Sequence, residues 1–145
     1  MEYLDGYGIA DARREKLFKG AVVTLLVSVV VGSLLYVWFK NYPQESQVKQ
    51  FLAALEDGNY EQAYTFWGCS IEQPCPTYPY DAFLVDWGEK SPLGPVKQFS
   101  LGRSSEQGTG VIIEIEINGK PQPELWVEKE SGVVGFSPYR LKKLF

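Results

Sequence analysis

The chain has 145 residues, a net charge of −4 and no histidine. The missing histidine removes the usual general base near neutral pH, the commonest metal ligand and every Ser-His-Asp or Cys-His arrangement. The acidic balance, with no basic stripe, argues against a nucleic-acid partner, whose phosphates demand clustered Lys or Arg.

Residues 1–19 carry four acidic and four basic groups and read as a short cytoplasmic tail. Residues 21–39, AVVTLLVSVVVGSLLYVWF, then run without a charge. At about 1.5 Å per residue this stretch spans roughly 28 Å, close to the hydrocarbon thickness of a bilayer, which predicts a transmembrane helix over 20–40. A cleavable signal peptide would have a shorter apolar run ending in small residues. Here the run ends in Tyr36, Val37, Trp38 and Phe39, an interfacial aromatic belt. Arg13, Arg14, Lys16 and Lys19 precede the helix and only Lys40 and Lys49 follow closely, so the N-terminus is expected in the cytoplasm and the rest of the chain outside a bacterial inner membrane, in the periplasm or beyond. Gly20, Thr24, Ser28 and Gly32 recur every fourth residue and share one stripe, where small side chains let another helix approach. The expected partners are the lipid bilayer and integral membrane protein subunits.

About 100 residues then remain, the size of one compact domain, and the chain is 14% aromatic, enough apolar surface to build a core without a metal or cofactor. The domain is placed at 44–138, followed by a basic tail over 139–145. Pro43 can open a helix, and Val48, Phe51, Leu52 and Leu55 fall at i, i+3, i+4 and i+7, one amphipathic face. Asp57-Gly58 ends it, Asn59 can cap a second helix with Gln62 three residues on, and Tyr60, Ala63, Tyr64 and Trp67 repeat the spacing. Cys69 and Cys75, the only cysteines, are expected to pair in an oxidising exported compartment. The gap between them is too long for a C-x-x-C redox pair, and two thiols without histidine do not make a zinc site. A third helix starts at Pro79 and brings Tyr80, Phe83, Leu84 and Trp87 to one face before Gly88.

After Gly94 the period becomes two. Val111, Ile113, Ile115 and Ile117 alternate with Ile112, Glu114 and Glu116, and Asn118-Gly119 suits a tight hairpin. Residues 96–105, 124–130 and 133–136 give further strands, so the expected fold is α+β: three helices, then a curved antiparallel sheet of three or four strands. The run FLAALEDGNYEQAYTFW (51–67), followed by a third helix and such a sheet, resembles the NTF2-like superfamily across 44–138. That resemblance implies a cone-shaped, cystatin-like arrangement with an internal pocket, in a superfamily that holds both enzymes, ketosteroid isomerase among them, and non-catalytic members, so the fold alone does not fix an activity.

An isomerase-like reading requires a carboxylate buried in the cone and a donor beside it, with Asp81 and Asp86 as the acids and Tyr64 and Tyr78 as the donors. Asp81 and Asp86 lie between the apolar positions of their helix, which predicts that both face solvent. Glu114 and Glu116 read as the wet face of a strand rather than a hydrolytic pair. Gly108-Thr109-Gly110 lacks the third glycine of a nucleotide loop. The expectation is therefore a non-enzymatic accessory subunit of a larger membrane complex, photosynthetic or respiratory. The alternative is a membrane-anchored domain that binds a small-molecule ligand in an aromatic cone, and an enzyme ranks behind both.

Overall fold

The structure, a computed structural model, describes residues 5–140. Most of the basic tail predicted at the C-terminus, residues 141–145, lies outside the described residues, as do residues 1–4 of the N-terminal tail. The chain divides into two units, residues 1–40 and 41–145.

The first unit is one helix, α1 (Asp5–Phe39). It is long and apolar enough to cross a membrane. It begins well before the apolar stretch, because residues 10–19 are rich in the good helix formers Ala, Arg, Glu, Lys and Leu. Glu15 and Lys19 add an i,i+4 ion pair at 2.6 Å in the orientation that helices favour.

In the second unit, α2 (Tyr42–Glu56), α3 (Tyr60–Thr65) and α4 (Tyr80–Trp87) precede strands β1 (Phe99–Gln107), β2 (Gly110–Ile117), β3 (Lys120–Pro121), β4 (Leu125–Glu128) and β5 (Val134–Phe136). This is the expected α+β order. The sheet is antiparallel and open, running β1-β2-β4-β5 with the two-residue β3 on the β4 side of β2. Val48, Phe51, Leu52 and Leu55 of α2 are all buried, as their spacing requires. Gly58, at φ 71°, supplies the left-handed turn after that helix. Asn59 then caps α3 reciprocally with Gln62: its side-chain oxygen accepts from the Gln62 N–H at 3.2 Å, and its amide donates to Gln62 Oε1 at 3.0 Å. The helix stops at Thr65, so Trp67 reaches the core from a turn rather than from the helical face its spacing predicted.

Val111, Ile113, Ile115 and Ile117 face the core from β2, at no more than 3% exposure. Ile112 points the other way and is also buried, because Trp126 stands directly across from it on β4. The Trp126 ring also lies over Gly110, where a Cβ would collide with it. The β1–β2 hairpin turns on Gly108-Thr109, with Gly108 at φ 57°, as a type II′ turn demands. The β2–β3 hairpin turns on Asn118 and Gly119, at φ 53° and 76°, the type I′ combination.

Residues 96–98, read from sequence as the start of the first strand, are not part of β1. Asn118 holds them instead. Its Oδ1 accepts from the N–H groups of Lys97 (2.8 Å) and Gln98 (3.2 Å), and its Nδ2 donates to the carbonyls of Pro95 (3.1 Å) and Leu93 (3.4 Å).

Candidate functional site

The space between the helices and the sheet is filled by rings. Phe51 and Phe83 are fully buried and lie 6.3 Å apart between centroids; Phe51 also meets Trp87 edge-on at 5.2 Å, and Tyr64 meets Phe83 at 5.2 Å. Separations and tilts of this kind are those that aromatic quadrupoles prefer.

A disulfide closes the long loop between α3 and α4, and a buried hydroxyl ties it to this core. Cys69 and Cys75 are joined by the expected disulfide, with Cα atoms 5.3 Å apart. Tyr64, wholly buried, places its hydroxyl between two backbone groups of the loop, donating to the Tyr78 carbonyl at 2.6 Å and accepting from the Cys75 N–H at 3.2 Å. A buried phenol needs partners for its hydroxyl, and the loop supplies them.

That anchoring sets Tyr78 at the rim of the aromatic cluster, against Trp67, Phe83 and Phe136. Its hydroxyl donates to Asp86 Oδ2 at 2.7 Å. Burial pushes the Tyr78 hydroxyl well above the ordinary tyrosine range, and Asp86 adds to the rise by accepting that hydrogen bond and by its charge. A hydrogen bond from the Trp87 indole would oppose the rise, but that N–H meets no acceptor in hydrogen-bond geometry.

Of the acids considered from sequence, Asp81 is exposed as predicted. Asp86 is half-buried, which corrects the solvent-facing reading. Asp86, the partner of the Tyr78 hydroxyl, lines an unroofed notch of about 240 Å³, walled by Trp87, Leu93, Pro123 and Phe136. Trp87 and Phe136 stack nearly parallel, 14° apart at 5.8 Å. Glu114 is engaged by Arg103, whose side chain and backbone N–H both donate to it, and Glu116 is exposed. A hollow of about 510 Å³ beside Asn118 is open to solvent, and among the described residues Lys97 is the one charged side chain lining it. Among the described residues no group of His, Cys, Asp or Glu could hold a metal ion.

The stripe residues all lie on α1. Thr24 and Ser28 donate their hydroxyls to the carbonyls of Gly20 and Thr24, at 2.9 and 2.8 Å. This back-bonding folds both hydroxyls onto their own helix. A Cβ at Gly20 or Gly32 would meet nothing within 4 Å. The signals for Asn118 and for the Tyr78–Asp86 pair are absent from the periodic pattern, since both depend on how loops fold back. Comparison with protein-family models, with curated proteins and with solved structures returned no match.

Proposed function

We propose that the protein is a non-enzymatic, single-pass accessory subunit of a larger membrane protein complex, with its N-terminus in the cytoplasm and an exported domain of the NTF2-like type. The observation that carries this reading is the character of α1. From Leu17 to Phe39 its large apolar side chains are exposed, Leu26 at 60% and Trp38 at 79%, and Gly20, Thr24, Ser28 and Gly32 leave a shallow strip with no polar hydrogen free for lipid. In a bilayer, helix association rests on close packing, and such a strip admits another backbone.

Support for the non-enzymatic part comes from the filled interior and from the use of Tyr64 and Tyr78 as structural donors. The order of three helices followed by an open antiparallel sheet supports the NTF2-like assignment, and the disulfide supports export to an oxidising compartment. The test is extraction from the native membrane in a mild detergent, followed by measurement of the mass and composition of the particle. Co-migration with one defined large complex supports the reading and identifies the host. Recovery as a lone monomer or small homo-oligomer refutes it.

A further inference from the structure

We infer that the notch beside Tyr78 and Asp86 is a binding site for the ammonium group of a short alkylamine. Asp86 is half-buried and lines the notch; its Oδ2 accepts from the Tyr78 hydroxyl, and among the described residues no hydrogen bond reaches its Oδ1. Among the described residues no Lys or Arg forms an ion pair with it. A carboxylate withdrawn part-way from water, fixed in orientation by a half-buried tyrosine hydroxyl and paired with no cation among the described residues, is a site whose complement is a hydrogen-bonding cation.

The surroundings say which kind. The walls are Leu93, Pro123, Trp87 and Phe136, and the Phe136 ring, 43% exposed, is an uncovered aromatic surface. Apolar walls favour an alkyl body over a hydrated metal ion, and the aromatic surface adds attraction for positive charge. The volume, about 240 Å³, falls below the roughly 300 Å³ at which pockets for drug-sized ligands begin, so the site takes a head group and a few methylenes. Gln122, on the same rim, offers an amide to a second polar group of the ligand. Primary ammonium on an alkyl arm is the shared chemistry of free alkylamines and of ethanolamine phospholipid headgroups. The apolar walls favour the former, by about fourfold for each methylene buried.

The experiment titrates the full chain, held in an uncharged maltoside detergent, with n-butylammonium chloride, following the indole N–H resonances of Trp87 and Trp67 by NMR with sodium chloride as the matched control. The expected result is a saturable shift of the Trp87 signal with a dissociation constant of about 1 mM, the scale for so small a ligand. Ethanolammonium should bind about tenfold more weakly, through its shorter and more polar arm. The variant Asp86→Asn, which keeps an acceptor for Tyr78, should lose binding at least tenfold while the domain unfolds at an unchanged denaturant midpoint. Phe136→Ala should weaken binding severalfold. Binding of ethanolamine-lipid nanodiscs in preference to butylammonium would move the site to the lipid and overturn the free-amine assignment. No saturable shift at about tenfold above the expected constant, or an equal shift in Asp86→Asn, would show a merely solvated rim and overturn the proposal altogether.

Discussion

Replacing Tyr64 by Phe keeps the buried ring and removes one oxygen. That oxygen is the partner of the Tyr78 carbonyl and of the Cys75 N–H, so the variant leaves two backbone groups of the loop over 69–78 unpaired against the core. An orphaned buried donor or acceptor costs about 1–3 kcal/mol; because Cys75 is only half-buried, the pair together should cost about 2 kcal/mol. The disulfide restrains the same loop, and closing so short a ring is worth about 2 kcal/mol in the chain-entropy account. The two restraints are coupled in a definite direction. With the disulfide intact the loop is held against the core and its orphaned groups stay dry; with Cys69→Ser and Cys75→Ser the loop can lift away and find water. The Tyr64→Phe penalty should therefore fall to below about 1 kcal/mol in the cysteine-free background. Urea unfolding of all four proteins in mild detergent, followed by tryptophan fluorescence, closes the cycle. Additive penalties, within about 0.5 kcal/mol, would refute the idea that Tyr64 and the disulfide secure one loop.

Four further outcomes are expected. Asn118→Ala should cost about 3 kcal/mol, through lost hydrogen bonds and a positive φ that Ala resists, and Asn118→Gly should recover about 1 kcal/mol of it by relieving φ alone; denaturant midpoints check both. Gly110→Ala places a methyl inside the Trp126 ring and 2.7 Å from the Val127 carbonyl oxygen, and should cost about 1–3 kcal/mol with a red shift of Trp126 emission. The raised Tyr78 hydroxyl predicts stability that is full below about pH 10, the ordinary tyrosine value, and falls as the pH rises above it, because the unfolded phenol ionises first; alkaline unfolding curves should show this slope, and Tyr78→Phe should flatten it. Gly20→Leu with Gly32→Leu should abolish co-migration with a host complex in detergent extracts and leave the unfolding of the exported domain unchanged.

The elements that burial dictates were legible in the sequence. The 3.6-residue spacing of Val48, Phe51, Leu52 and Leu55 and the two-residue spacing of Val111 to Ile117 each record one face meeting one core, and the structure buries those residues. Turn chemistry was legible where backbone sterics leave no alternative, as at Asn118-Gly119 and at the Asn59 cap. What the pattern misplaced was residues 96–98, since Lys97 and Gln98 are held by a side chain beyond the far end of β2 rather than by a ladder. Ile112 departs from the alternation for a related reason: it shares a strand face with Glu114 and Glu116, and only pairing with β4 brings Trp126 across to cover it.

Asp86 marks where periodicity stops being informative about chemistry. Its helix tells which side chains meet Phe51 and Phe83, and Asp86 is not among them, so the pattern sends it to solvent. Its environment is decided elsewhere: Tyr64 reaches up to the Tyr78 carbonyl, the disulfide closes the loop, and Tyr78 is thereby swung over the end of α4. Phe136, from the last strand, completes the wall. The loop, the helix that follows it and a distant strand thus build one rim, and each contributes a residue whose own sequence neighbourhood assigns it a structural task. The same logic separates the two proposals. The α1 stripe is a local, periodic feature, read directly from residues 20–32, and its disruption should leave the domain intact. The rim is a tertiary feature, so Asp86→Asn tests the ammonium site without touching the helix, and neither result prejudges the other.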